Sequence, residues 1–332
     1  MMTLARQNPK SPAVDSYGKW SLRVALLCVL CASLVNSFSA VSITTTNYHG
    51  WPNSYVISNE AVEVIVVPAI GRVMQFRFAG EPDGPFFENR AMDGKSPIPT
   101  SKEWGNFGGD KTWPSPQEDW PKITPRGWPP PVAFDSMPVK ASIEGAQLRL
   151  ISAIDPHYGI RTERLITLHP TEPRMTIETV YTKVQGDPRK VGVWIITQLN
   201  EPDLVHIRTS IGDKYIRQSS DAPTDLKVRE RSITLKRSAS KSTKIGTDGN
   251  ALLWVGPKTA LRIESARVPG AEYPDKGSSA EVYTNPNPLT YVELEMLGPL
   301  HTLKPGDEIS HSSAYTLFHR ADIDAFLKEE VK

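Results

Sequence analysis

The sequence predicts an all-β fold, and three observations support it. From residue 41 onward, short runs rich in β-branched and aromatic residues alternate with turn residues. The clearest two runs, 61–67 and 71–78, are separated by a Pro-Ala-Ile turn, which predicts a β-hairpin. Only one helix is expected, at 321–330. We therefore predict antiparallel β-sheets followed by a short C-terminal helix.

The remaining strand candidates are spread over the rest of the chain. No internal repeat and no linker divides it, so we predict one large domain at 40–332, with two packed subdomains as the alternative. Within it, the Pro-rich stretch 79–138 is expected to hold a long functional loop. The further predicted strands are 146–153, 160–168, 174–184, 192–199, 232–235, 251–255, 260–265, 280–283, 290–297 and 312–318.

The first 39 residues are typical of a signal peptide or an N-terminal anchor. Four basic residues precede an apolar run at 24–35, and small residues follow it. Both cysteines, Cys28 and Cys31, lie in this run, so the mature chain would have no thiol nucleophile and no Cys-ligated metal. We expect export to the periplasm or the extracellular space.

The charge of the mature chain argues against two classes of partner. Removal of residues 1–39 leaves 34 basic and 36 acidic residues, so the surface is almost neutral. Such a balance does not favour nucleic acid or an anionic membrane as partner, beyond the N-terminal anchor itself. The sequence leaves the oligomeric state open.

A Trp-rich segment at 104–117 is the most informative part of the chain. Four of the eight Trp residues lie between Trp104 and Trp128, among Gly and Pro residues that disfavour a long helix or a central strand. We therefore predict a loop with a binding surface, because Trp faces stack on sugar rings and polar groups bind sugar hydroxyls. The candidate ligand-binding residues in and beside this segment are Trp104, Asp110, Trp113, Gln117 and Trp120.

The strand at 290–297 has the clearest alternation. Tyr291, Glu293 and Glu295 share one face, while the apolar residues between them share the other. Two carboxylates and a phenol on one face could line a wet groove. The alternative is an ordinary solvent-facing side of a sheet.

Two further segments offer binding candidates. In the strand at 192–199, Trp194 and Gln198 fall on one face, where they could contact a ligand or occupy the core and an edge. In the turn before the strand at 160–168, His157 and Arg161 could lie at a groove mouth, or they could be surface residues. The other six histidines have no metal-ligand spacing, so we expect neither a metal nor a cofactor.

The motifs of several enzyme classes are absent from the sequence. It contains no H-E-x-x-H, G-x-S-x-G, phosphate loop or G-x-G-x-x-G motif. Zinc-protease, serine-hydrolase and nucleotide-binding functions therefore lose support.

Four motifs carry a resemblance to a known family. They are A-V-E-V-I-V-V-P-A-I-G-R-V-M, N-F-G-G-D-K-T-W-P-x-P-Q, V-W-I-I-T-Q-L, and Y-V-E-L-E-M-L-G-P-L followed by L-K-P-G-D-E. The chain from 47 to 318 resembles an uncharacterised bacterial domain family that is similar to the galactose mutarotase (aldose 1-epimerase) superfamily. The resemblance implies a β-supersandwich of antiparallel sheets that binds sugar on a concave face.

The resemblance also implies catalytic roles. Mutarotases use a Glu base on a late strand, which Glu295 matches best and Glu293 second. Their His acid on a central strand has no counterpart, because this chain has Ile195, Ile196 and Thr197 there. The available substitutes for that His are His157, Lys111 and Asp110.

Three functions are compatible with these features. The first is acid–base chemistry on a sugar, with Glu295 as base and Lys111 or His157 as acid or charge stabiliser. The second is a carbohydrate-binding module or receptor without chemistry. The third is a structural exported β-protein whose Trp-rich segment only covers a sheet.

Overall fold

Residues 41–209 and 215–330 are described by a computed structural model, and they form two large antiparallel sheets. The predicted signal peptide or anchor at 1–39 lies outside the described residues. The all-β fold is confirmed. Among the described residues, none of the helices combines the length and the hydropathy that a membrane span needs.

The first sheet has eleven strands within the described residues, and β20 (His301–Leu303) joins it by pairing with β10 (Arg189–Asn200). The other ten strands follow one another, in sheet order, as β1 (Ser42–Tyr48), β2 (Trp51–Ser58), β3 (Val62–Val67), β4 (Arg72–Phe78), β5 (Asp110–Ser115), β10 (Arg189–Asn200), β19 (Tyr291–Leu297), β18 (Ala280–Thr284), β15 (Thr243–Thr247) and β12 (Ile216–Arg217).

The second sheet has ten strands in the same described part of the chain. Their order is β13 (Thr224–Val228), β14 (Ser232–Lys236), β11 (Leu204–Arg208), β16 (Ala251–Val255), β17 (Thr259–Glu264), β21 (Glu308–His319), β9 (Arg174–Lys183), β8 (Ile160–Leu168), β7 (Gln147–Ile154) and β6 (Lys140–Glu144). The short α-helices are α1 (Trp120–Ile123), α2 (Val132–Asp135), α3 (Pro274–Gly277) and α4 (Arg320–Glu330).

The predicted hairpin and C-terminal helix are both present. Strands β3 and β4 pair across a 3₁₀ turn at Pro68–Ile70, and α4 starts one residue before its predicted start. Besides β5, the strands that the sequence did not predict are β1, β2, β6, β11, β12, β13, β15 and β20. In β1, β2 and β15, Ser, Asn, Pro and Gly residues interrupt the β-branched and apolar signal on which strand prediction depends.

The prediction of a loop is wrong for residues 110–115, which form the inner strand β5. Strand β5 tolerates its Pro because it has a full-length partner on one side only. It pairs with β10 along its whole length but with β4 only at Asp110, so Pro114 faces no partner strand on the β4 side. Two glycines directly before β5 supply the backbone angles with which the chain enters the strand. Gly108 and Gly109 have φ angles of 91° and 70°, and a Cβ atom on Gly108 would lie 2.2 Å from the Phe87 carbonyl oxygen.

A buried polar cluster joins the two sheets. Asp110 of β5 accepts hydrogen bonds from Thr197 Oγ1 at 2.6 Å and from Tyr315 Oη at 2.7 Å, and it forms an ion pair with Arg164 of β8. All four side chains are buried. Strand β5 is therefore anchored to the second sheet through its first residue.

We predict that Asp110→Ala lowers the free energy of unfolding by about 3–5 kcal/mol, because it leaves the Arg164 guanidinium buried without its carboxylate. Urea denaturation measures this change. The matched control is Asp203→Ala, which removes a half-exposed partner of Arg320 and should cost less than about 1 kcal/mol. Equal losses in the two variants would contradict the anchoring role of Asp110.

Candidate functional site

The strand register places a polar strip on the face of the eleven-stranded sheet that points away from the second sheet; we call it the outward face. Thr197 marks the opposite face, because it contacts Tyr315 of the second sheet. Along β10, Ile196 pairs with Glu295 and Gln198 pairs with Glu293, so these side chains alternate with Thr197 and face outward. The predicted alternation of β19 is thus present. Its carboxylates are buried rather than solvent-facing, with Glu295 at 1% exposure.

Lys111 and Glu293 form one cluster on the outward face, the Lys111 cluster. The Lys111 Nζ atom lies 3.5 Å from Glu293 Oε1, which also accepts a hydrogen bond from Gln198 Nε2 at 2.9 Å. The ammonium lies over two indole rings, 5.0 Å from the Trp113 centroid and 5.6 Å from the Trp104 centroid. Cation–π contacts of this kind stabilise a desolvated ammonium by about 2 kcal/mol.

The Lys111 ammonium lies in an environment that disfavours its charge. Burial lowers the pKa of Lys111, and the negative charge of Glu293 opposes this shift. Its side chain is fully buried, and its Nζ atom makes no hydrogen bond within the described residues. Buried donors without an acceptor are rare in folded proteins, and such a donor often marks the place of a ligand or a water molecule.

Lys244 and Glu295 form a second cluster, the Lys244 cluster. Lys244 Nζ lies 2.9 Å from Glu295 Oε2 and 2.8 Å from Glu281 Oε2. Glu295 Oε2 also accepts a hydrogen bond from Trp194 Nε1 at 2.7 Å. The Lys244 ammonium lies 4.5 Å from the Trp194 ring centroid, and the Lys244 side chain is one-fifth exposed. Lys244 is therefore the more exposed partner of the buried Glu295.

The pKa values of this cluster are displaced from their ordinary range. Burial raises the pKa of Glu295 to about 8, against the opposing effect of Lys244 and with support from Glu281. Burial by itself would lower the pKa of Lys244, but Glu281 and Glu295 raise it, so the ammonium keeps its charge. Burial and Glu281 also raise the pKa of Asp275 to about 6. Glu295 can therefore exchange a proton close to neutral pH.

A layer of indole rings packs beside these clusters. Trp113 contacts Trp194 and Trp120 edge to face, with centroids 5.4 Å and 5.5 Å apart. Asp135 of α2 accepts hydrogen bonds from Trp113 Nε1 at 2.9 Å and from Trp104 Nε1 at 3.2 Å. The indole planes are thus held by a buried carboxylate, which fixes the walls around Lys111.

The structure brings together most of the candidates predicted from the sequence. On the outward face or packed against it lie Trp104, Lys111, Trp113, Trp120, Trp194, Gln198, Glu293 and Glu295.

Four candidates lie elsewhere, and the geometry does not support their inclusion in the site. Asp110 points to the sheet interface, because neighbouring residues of a strand face opposite sides. His157 is exposed in the turn before β8, and Arg161 lies on the side of the ten-stranded sheet that points away from the interface. Gln117 is exposed in the 3₁₀ turn after β5.

Sequence reasoning missed Lys244, Glu281 and Asp275. Glu281 carried a usable signal, since it shares one face of a predicted strand with Tyr283, as Glu293 does with Tyr291. Lys244 lies on the unpredicted strand β15, 51 residues from Glu295, so only the sheet order brings the two together. Among the described residues, no group of three or more potential ligands has the geometry to hold a metal ion.

Comparison with known proteins identifies the fold. A galactose mutarotase-like protein from Lactobacillus casei aligns with a TM-score of 0.55 over 80% of this chain and 100% of its own, at 6% sequence identity. Another from Clostridium acetobutylicum aligns with a TM-score of 0.52 over 84% and 99%, at 9% identity. A galactose mutarotase related enzyme from Lactobacillus acidophilus aligns with a TM-score of 0.51 over 80% and 97%, at 10% identity.

These similarities confirm the predicted mutarotase-like fold. Sequence comparison adds nothing to them, because no protein-family model matches the chain and no curated protein matches it.

We predict that Glu295→Gln changes the pH dependence of stability. The folded state holds the Glu295 proton up to a pKa of about 8, whereas the unfolded chain releases it at the ordinary value of 4.5. Glu295 therefore contributes stability that is complete below pH 4.5 and is lost as the pH rises to about 8. The difference in free energy of unfolding, wild type minus variant, should fall by up to about 1.4 kcal/mol per pH unit in this window.

Urea denaturation between pH 5 and 9 measures this difference. Glu178→Gln, at an exposed position of β9, is the control and should leave the pH profile of the wild type unchanged. A difference between wild type and Glu295→Gln that stays flat or rises with pH would contradict the raised pKa.

Proposed function

We propose that this protein is an exported carbohydrate-engaging protein that binds a sugar against the outward face and exchanges a proton with it. The observation that carries the proposal is the contact of Glu295 with Lys244 on that face. The galactose mutarotase related enzyme and the mutarotase-like proteins that share the fold support sugar as the ligand. Export is supported by the basic and apolar N-terminal sequence, and mass spectrometry should find a mature N-terminus near residues 33–41.

The Lys111 cluster has the chemistry to hold a sugar ring. A sugar hydroxyl both donates and accepts hydrogen bonds, and Glu293 and Lys111 offer an acceptor and unpaired donors 3.5 Å apart. The neighbouring Trp104 is half-buried and offers an apolar surface to the C–H face of a pyranose. Binding would supply Lys111 with the acceptor that it lacks among the described residues.

The Lys244 cluster has the chemistry for ring opening. The deprotonated form of Glu295, a minority at neutral pH because its pKa is about 8, accepts the proton of the anomeric hydroxyl. The bond between the anomeric carbon and the ring oxygen then breaks, and a carbonyl forms at the anomeric carbon. The ring oxygen takes a proton from solvent while the Lys244 ammonium stabilises its negative charge. Closure on the other face of the carbonyl reverses these steps and returns the proton from Glu295. A pKa of about 8 suits a group that must both accept and return a proton near neutral pH.

One observation favours a second candidate function, carbohydrate binding without chemistry. The residue paired with Glu295 on β10 is Ile196, an apolar side chain in the region where the mutarotase resemblance implies a His acid. Under this function both clusters hold the sugar, and no proton is transferred. The two functions differ in turnover, not in ligand.

We predict that the purified protein binds a sugar from a panel of mono- and oligosaccharides in isothermal titration and speeds its mutarotation in polarimetry. Glu295→Gln should remain folded and keep the binding but lose at least about a hundredfold in turnover, the usual effect of removing a general base. Lys111→Met should weaken sugar binding, because it removes the unpaired donors next to Glu293.

Two surface variants are the controls, Glu178→Gln on β9 and Lys140→Met on β6; both change exposed residues and should behave as wild type. Binding without any turnover would replace the catalytic function with the binding function. If no sugar in the panel binds, carbohydrate engagement itself is wrong.

A further inference from the structure

A cavity of about 270 Å³ lies beside Trp104, between the chain segments on either side of β5. Its walls include the apolar side chains Trp104, Phe107 and Ile98. Its polar groups include Lys95, Glu103 and Arg126, which supply both donors and acceptors. Because liquid water occupies about 30 Å³ per molecule, the cavity has the room of roughly nine water molecules. That is enough space for one small ring.

Trp104 connects this cavity to the Lys111 cluster. The indole ring lines the cavity, and its centroid lies 5.6 Å from Lys111 Nζ. Its Nε1 atom donates to Asp135, which also lines the cavity and holds Trp113. The two sites therefore share an indole and a carboxylate, and a ligand longer than one ring could contact both.

Apolar side chains are exposed at this end of the protein. Ile98 of the cavity is 69% exposed, and Trp128, which packs edge to face on Trp104 at 5.4 Å, is 46% exposed. Water-exposed Trp and Ile side chains next to a polar cavity are typical of a ligand-binding surface. A sugar ring would cover their apolar surface and satisfy the polar groups with its hydroxyls.

We propose that this cavity is a second sugar subsite and that the ligand is an oligosaccharide of at least two units. One unit occupies the Lys111 cluster and the next occupies the cavity, with Trp104 between them. This inference rests on the proposed function, since it needs a sugar at the outward face. It narrows the ligand of the proposed function to an oligosaccharide, because a free monosaccharide would leave the cavity empty.

The test compares affinities along three saccharide series: glucose, maltose and maltotriose; glucose, cellobiose and cellotriose; and galactose with its β-1,4-linked dimer and trimer. In isothermal titration, the wild type should bind the two-unit member of one series at least about tenfold more tightly than its monosaccharide. Ser96→Trp fills the cavity from an exposed position, and Ile98→Asp removes an exposed apolar wall. Both should reduce the ratio of the two affinities to less than about threefold.

The control is Ile143→Asp, at a half-exposed position of β6 on the second sheet, and it should keep the wild-type ratio. A wild type that binds monosaccharides with no gain for longer chains would overturn the subsite and leave the proposed function intact. A gain that Ser96→Trp and Ile98→Asp do not reduce would also overturn it. Failure of every saccharide to bind would overturn both.

Discussion

The anchor of Asp110 at the sheet interface is the interaction on which the site depends. Asp110 is held by Arg164, Thr197 and Tyr315, so the first residue of β5 must face the second sheet. Alternation then directs Lys111 outward, over the indole rings and towards Glu293. A one-residue shift in the register of β5 would turn Lys111 towards the sheet interface, into the position that Asp110 now occupies. A structural ion pair on one face thus positions a functional lysine on the other.

The outward face concentrates more charge than a buried surface usually holds. Two lysines, Lys111 and Lys244, face three carboxyl groups at 281, 293 and 295. The raised pKa of Glu295 keeps a proton on one of these carboxyl groups at neutral pH and so reduces the excess of negative charge. Replacing such ion pairs by apolar side chains is often neutral or stabilising, so stability alone does not require them here. Ligand chemistry gives a reason for their presence.

The sequence predicted the parts of this arrangement that depend on local pattern. Alternation in β19 placed Glu293 and Glu295 on one face with Tyr291. It could not predict which strands become neighbours. The Lys244–Glu295 contact needs β15, β18 and β19 side by side, and that order follows from the packing of the whole sheet. The Pro content of the Trp-rich segment predicts a loop, whereas β5 accommodates Pro because only β10 pairs with it along its full length.

Sugar binding at the outward face is tested most directly by an NMR titration that follows the indole N–H signals of 15N-labelled Trp side chains. Trp104 and Trp194 lie at the Lys111 and Lys244 clusters, whereas Trp254 donates to the Asn200 carbonyl oxygen away from them. We expect the saccharide bound in calorimetry to shift the Trp104 and Trp194 signals and to leave the Trp254 signal in place. Saturable binding that shifts Trp254 and leaves Trp104 and Trp194 unchanged would place the sugar elsewhere and contradict the account.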